Sequence, residues 1–382
     1  VGKVKNRVTI KDVAAKSGYS LGTVHIALNG KTGISEDTRN KILEVAKELD
    51  YRPNFAAASL NRKSKRIVGC FPSLVGDNRY YYPSLWSGFQ NAYIEQGRDM
   101  NIELMQCPYH SFSVPEITDV DKRAGWISLD TLRAELEAGT IDGMVLDGNT
   151  SPFTEAELAR FVERGLALTM VDRDMENSGR LSCVLGDYKV IGATVAELIT
   201  GRITSYGSIL MCAGEQGIYS HRGIEIGFDQ YLREHHCENK VYKVYSHTIN
   251  EENYQNILAT VSEPDVAAVC CVSSRTSRML EMALEESGRA GRIYAVGSDV
   301  FSENIEAMKR NVYQNLIQKN PYAQAYTATE VLLDYLLKDQ KAHSIIKVGS
   351  EVVFRSNLVF YEKRRGTNLQ DVSHRFGPAM LI

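Results

Sequence analysis

No stretch of this 382-residue chain approaches the roughly 18 consecutive apolar residues that a membrane-spanning helix needs, and its first residues lack the hydrophobic region of a secretion signal. Those absences argue against a membrane partner and lead us to expect a cytoplasmic protein. Cysteine is too sparse for a disulfide framework. The seven residues, an odd number, stand at 70, 107, 183, 212, 237, 270 and 271, mostly inside apolar runs, as reduced buried thiols do. The eight histidines are dispersed. His235-His236 abuts Cys237 without metal-like spacing and reads as the exposed end of a helix. Neither a GxGxxG nor a GxxxxGK phosphate loop occurs. No enzyme activity, cofactor or metal is therefore expected.

What is present is a globular composition, 43% apolar and 24% charged, with length enough for two to three domains. The net charge of −3 hides an asymmetry. The first 66 residues hold 14 Lys and Arg against 6 Asp and Glu, which leaves 30 against 41 for the rest. A basic head on an acidic body suggests that the head meets a polyanion.

The chain is organised around Thr9 to Gly30, TIKDVAAKSGYSLGTVHIALNG. Thr9 with Asp12 makes a variant capping box, and Ile10, Val13 and Ala14 share one helical face. Gly18 suits the positive φ that ends a helix, and Ser20 is placed to cap a second. On that second helix Val24, Ala27 and Leu28 are the apolar side, while Leu21, Gly22, His25 and Ile26 point roughly the other way. Two short helices about a tight turn predict a helix-turn-helix, whose second helix fits the DNA major groove. Ser35 then caps a third helix carrying Ile42, Val45, Ala46 and Leu49, which ends before Pro53.

Pro53 to Arg66, PNFAAASLNRKSKR, favours a helix too short to stand alone in water and is flanked by basic residues, as a hinge helix formed against DNA would be. From Ile67 onward, apolar runs alternate with amphipathic stretches. Strands are predicted at 67–71, 102–107, 141–146, 167–171, 183–185, 208–212, 241–245, 266–272 and 293–296, with helices such as 188–203, 221–235 and 276–287 between them. Residues 108–126 read as a long loop. This is α/β repetition with parallel sheets, and nine or more strands are more economically placed in two lobes than in one sheet. Ligands in such folds sit outside the carboxyl ends of the strands.

Headpiece, alanine-rich basic hinge and two-lobed body, in that order, resemble the lactose-repressor (LacI) family of bacterial transcription regulators, and the body resembles periplasmic sugar-binding proteins. The likeness is most specific at VTIKDVAAKSGYSLGTVHIALNG and ISEDTRNKILEVAKELDYRPN, with echoes at VLGDYKVIGA, AVGSD and NPYAQAY. It implies a helix-turn-helix headpiece (1–52), a hinge helix (53–66), a two-lobed effector domain (67–365) and a tail (366–382). Lobe 1 is expected at about 67–185 and 319–345, and lobe 2 at about 187–317 and 346–362. The function implied is that of a repressor acting as a homodimer or tetramer on a near-palindromic operator in double-stranded DNA, controlled by a sugar or sugar derivative.

By the same resemblance, Leu21, Gly22, His25 and Ile26 face base edges and Leu60 is the wedge that enters the minor groove. Lys5, Lys11, Thr23, Asn54, Arg62, Lys63 and Lys65 are candidates for phosphate contacts, with Asn54 as the hinge-helix cap. The effector candidates are Arg79, Tyr81, Tyr82 and Trp86 after the first strand, Asp172 and Arg173 after the fourth, and Asp299 after the ninth. The family's Arg before a Gly-Phe pair falls on Ile224, with Arg222 as substitute. The expected Asn-Asp pair is Ser273-Ser274, followed by Arg275. The Gln ahead of Asn-Pro-Tyr is Gln318, with Lys319 competing for the place. Arg79, Arg173 and Arg275 are candidates for a clamp on an acidic sugar or sugar phosphate.

Leu21 and Ile26 offer only apolar contact, best suited to thymine methyl groups, so more of the selectivity is assigned to DNA shape. Guanine placed opposite Ile26 is expected to weaken binding, as is Ile26→Ala. Duplex-binding assays that register no change from either would remove this reading.

Overall fold

The computed structural model describes residues 8–28, 32–51, 64–74, 76–110, 125–246 and 248–362. Three helices, α1 (Ile10–Ser17), α2 (Leu21–Leu28) and α3 (Glu36–Glu48), make the head. Their starts are local chemistry. The Asp12 carboxylate accepts from the Thr9 backbone N–H and hydroxyl, each at 2.7 Å. Ser20 and Ser35 accept from the N–H groups of Thr23 and Thr38. Gly18, at φ 75°, ends α1. Val13, Val24, Ala27, Ile42 and Ala46 form the buried centre, and Arg39 closes the end of α2 by donating to the Ala27 carbonyl.

The body holds two six-stranded sheets. The first contains β1 (Lys65–Pro72), β2 (Ile102–Tyr109), β3 (Gly143–Asp147), β4 (Ala167–Val171), β5 (Ser182–Gly186) and β11 (Ile345–Val348). Its order is β11-β5-β4-β3-β1-β2, with every neighbouring pair parallel. The second contains β6 (Ser208–Gly214), β7 (Val241–Tyr245), β8 (Val266–Cys271), β9 (Tyr294–Ser298), β10 (Asn315–Gln318) and β12 (Glu351–Phe354). Its order is β12-β10-β9-β8-β6-β7, and β12 alone runs antiparallel to its neighbour. The lobes repeat one plan. The helices are α4 (Tyr82–Ala92), α5 (Leu129–Glu137), α6 (Glu155–Glu163), α7 (Tyr188–Thr200), α8 (Tyr219–Glu234), α9 (Glu251–Val261), α10 (Ser274–Glu286), α11 (Ser302–Lys309), α12 (Pro321–Lys338) and α13 (Val359–Glu362).

The chain crosses between lobes three times, after β5, after β10 and between β11 and β12. Three boundaries differ from the sequence reading. Residues 346–348, expected in lobe 2, pair with β5 of lobe 1, so the last crossing falls at Gly349-Ser350. Lys65 and Arg66, expected in the hinge, already pair with β2. Pro108 and Tyr109, read as loop, complete β2. The proposed hinge helix lies outside the described residues except for its last three, and the tail lies wholly outside them.

Helix packing explains several small residues. Helices α7 and α8 cross at Gly192 and Gly227, where an added Cβ would fall on the carbonyl oxygens of Ile224 and Lys189. Gly88 of α4 meets the Tyr322 carbonyl of α12 in the same way. Backbone on the far side cannot give way as a side-chain tip would. Gly227→Ala is expected to cost about 3 kcal/mol in urea unfolding, whereas Gly217→Ala, whose new methyl meets only the tip of Glu215, changes stability by less than about 0.5 kcal/mol.

Candidate effector pocket and DNA-reading face

On the head, Leu21 (46% exposed), Gly22 and His25 face solvent, and Ile26 is half-buried at the edge of the packed side. The base-reading candidates therefore share the solvent-facing side of α2, with Ile26 at its edge. Lys11 is exposed and Thr23 bonds Ser20. Lys65, a phosphate candidate, is instead spent within the body, with Nζ 2.6 Å from Asp142 Oδ1. It belongs to a strand rather than to a free linker. Lys5, Asn54, Leu60, Arg62 and Lys63 lie outside the described residues.

A cavity of ≈70 Å³ lies between the lobes. Tyr81, Tyr82, Asn149, Thr150 and Asp172 line it from lobe 1, and Glu215, Ile218, Ser220, His221, Ser246, Ser273, Ser274 and Arg275 from lobe 2; Lys319 enters at a crossing. Nearly all follow the carboxyl end of a strand, as parallel α/β sheets dictate. Asp172 and Asp299 stand at equivalent places, one residue after β4 and β9. Both have left-handed backbone, φ 70° and 67°, a conformation Asp tolerates better than bulkier residues. That turn aims each carboxyl inward, and both residues are buried.

Asp172 Oδ1 accepts from the Tyr81 hydroxyl at 3.1 Å and from the Tyr188 hydroxyl. Asp299 pairs with buried Lys319, Nζ to Oδ2 3.0 Å. The same ammonium donates to the Val272 carbonyl at 3.0 Å and stands 5.4 Å from the centre of the Tyr81 ring. Burial pushes the Asp299 carboxyl up, and Lys319 opposes the shift. His221 Nδ1 accepts the Glu215 backbone N–H at 3.0 Å, which leaves the ring proton on Nε2. Burial, then the charges of Lys319 and Arg275, hold this imidazole down at about 3, so it is neutral. Asn149 Oδ1 and Ser246 Oγ are buried without a hydrogen-bond partner. Both residues line the cavity, one from each lobe, and such atoms are suited to ligand hydroxyls.

Five sequence candidates line the cavity, namely Tyr81, Tyr82, Asp172, Ser273 and Arg275. Asp299 sits behind Lys319. The others are placed elsewhere. Trp86 is core, donating to the Pro72 carbonyl at 3.0 Å and packed on Phe71. Arg79, Arg173 and Arg222 are exposed, so the three-arginine clamp is not assembled; only Arg275 reaches the cavity. Gln318 accepts the Val300 backbone N–H, and its competitor Lys319 takes the wall. Sequence reasoning missed Asn149, Thr150, Glu215, Ile218, Ser220, His221 and Ser246, all within seven residues after β3, β6 or β7. Among the described residues no cluster could hold a metal ion, and no helix is long and apolar enough to cross a membrane.

A three-helix head with one solvent-facing helical side, followed by two largely parallel sheets that share a polar cavity, is the construction of a ligand-responsive DNA-binding regulator. Residues 131–340 match the family described as periplasmic binding protein domain, and residues 9–54 match bacterial regulatory proteins, lacI family. The chain thus joins a lacI-family DNA-binding domain to a domain of the periplasmic binding protein family. It is 25% identical over 268 residues (69% of this chain, 72% of the relative) to the "Probable HTH-type transcriptional repressor ExuR" of Bacillus subtilis. A putative LacI transcriptional regulator from Bacteroides fragilis superposes with TM-score 0.65 at 17% identity, over 78% of this chain and 100% of that one. A carbohydrate transporter from Acidothermus cellulolyticus in complex with myo-inositol gives TM-score 0.62 at 17% identity, over 80% and 99%.

Beneath the wall, Asp147 ends β3. It accepts from the Thr150 hydroxyl at 2.7 Å, the Asn149 N–H at 3.0 Å and the Tyr109 hydroxyl at 3.3 Å. Burial and the neighbouring Asp172 charge push its carboxyl up to about 7. The folded state therefore keeps a proton that the unfolded chain releases near its ordinary value of about 4. This contribution falls as pH rises from about 4 to about 7 and is constant above. His221 works in the opposite sense, since the unfolded chain takes a proton below about 6.5 that the fold refuses. The two slopes offset each other in the wild type. The stability of Asp147→Asn relative to wild type is expected to climb across about pH 4–7 and then level, as followed by urea midpoints at several pH values.

Proposed function

We propose that this protein is a repressor whose hold on operator DNA is set by a sugar or sugar derivative bound between the lobes. The observation that carries the reading is the pair of unpartnered buried atoms, Asn149 Oδ1 and Ser246 Oγ, in a wall that also holds two tyrosines, two acidic residues and two cations. Apolar ring faces with a few fixed donors and acceptors suit a polyhydroxylated ring. The myo-inositol complex of a structural neighbour supports it. An acidic sugar remains within the chemistry of the wall through Arg275 and Lys319.

The mechanism proposed is a population shift. Ligand favours one closure of the lobes, which changes how two first lobes meet in a two-fold dimer and brings the paired hinges together or apart. Two heads then read a near-palindromic site. The protein acts in the cytoplasm and performs no chemistry on its ligand.

Selection of bound sequences from random duplexes, with and without a panel of neutral sugars, uronic acids and sugar phosphates, tests this directly. The expected result is one symmetric site and at least one sugar that changes its affinity by about 5–150-fold. Binding without sequence preference, with every sugar inert, would sink the reading.

A further inference from the structure

The lobes also touch beyond the cavity, away from the chain crossings. The 3-10 turn Gly76–Tyr80 follows β1, three strands from β5, and lies against the N-terminal ends of α10 and α11. Asn78, 1% exposed, accepts from Arg275 Nη2 at 2.8 Å. Two residues on, the Tyr80 ring packs on Phe301 of lobe 2, centroids 4.7 Å apart and planes inclined 42°. Exposed Arg79 holds Tyr80 from outside, with its guanidinium carbon 4.6 Å from the ring centre and Nη2 2.5 Å from the phenol oxygen.

We propose that these contacts are a clasp that limits the effector to a single sugar ring and excludes disaccharides and glycosides built on it. The proposal rests on the sugar reading above and narrows it. Arg275 belongs to both structures, since its side chain lines the cavity and also holds Asn78. Asn78, Tyr80 and Phe301 stand behind that wall rather than in it. A free ring ends at Arg275. A second ring attached on that side has to part Tyr80 from Phe301 and take Arg275 from a buried amide oxygen. An aromatic pair and a hydrogen bond to a charged group together correspond to about 100-fold in affinity.

The test is calorimetric titration of the full chain with pentoses, hexoses and hexuronic acids, then with the methyl glycosides and disaccharides of whichever rings bind. Wild type is expected to bind disaccharides at least about 100-fold more weakly than the free ring. In Phe301→Ala the gap narrows to within about 10-fold through gain on the disaccharide, while the free ring changes by less than about 3-fold. Arg79→Ala, at an exposed position the fold does not need, moves the gap the same way by less. A disaccharide that matches its free ring on wild type, or a gap unchanged in both variants, overturns the clasp while leaving the sugar reading intact. If no ring and no disaccharide binds, the sugar reading fails and the clasp fails with it.

Discussion

One carboxylate oxygen holds the lobes in register. Asp172 Oδ1 receives a hydroxyl from Tyr81, beside the first strand, and another from Tyr188, at the head of the helix that opens the second lobe. A carboxylate taken from water is costly unless its lone pairs are filled, so the two phenols and the acid constrain one another. The tyrosines are correspondingly reluctant to ionise, each pushed well up by burial first and by Asp172 next. Lys319 extends the arrangement, touching the Tyr81 face while neutralising Asp299 at the matching corner of the other lobe. A guest in the cavity meets groups that already answer to both lobes at once. That is the physical condition for a small ligand to bias a large movement.

Much of this plan was legible in the amino-acid order, for definite reasons. Parallel strands covered on both faces must be apolar throughout, so runs such as Ile67–Phe71 and Ala167–Val171 announce themselves. The three strands that went unread are short and lack that mark. β10 carries Asn and Gln at its ends, β11 is largely exposed at a sheet edge, and β12 is an antiparallel edge strand. Missing β11 misplaced the last crossing between lobes by a few residues.

The pocket was legible as a region and only partly as residues. Strand ends point to the right loops, yet a loop's backbone decides which side chain turns inward. The left-handed turn at Asp172 sends that carboxyl in and leaves Arg173 outside. At the end of β10 the same choice gives Gln318 to a backbone amide and Lys319 to the wall. Trp86 was chosen for its chemistry, but helical phase turns it into the core. Ser246 and Asn149 carry no sequence signature, since a serine or asparagine after a strand is ordinarily a turn residue. On the head, local signals sufficed, because caps and a glycine turn fix two short helices with little help from afar.

The order in which the pieces of lobe 1 are made has its own consequence. Helix α12, which covers β3, β4 and β5, and the edge strand β11 are translated after nearly all of lobe 2. On the ribosome, β3 to β5 wait with the part of one face that α12 will cover still bare, and β5 with its outer edge unpaired, until residue 348 has emerged, while β6 to β10 are already together. Such half-built sheets are the species that chaperones shield and that aggregate when unshielded. The three-helix head depends on none of this and is complete from the first fifty residues. A stalled or truncated product thus carries a finished DNA-binding part without the apparatus that would govern it.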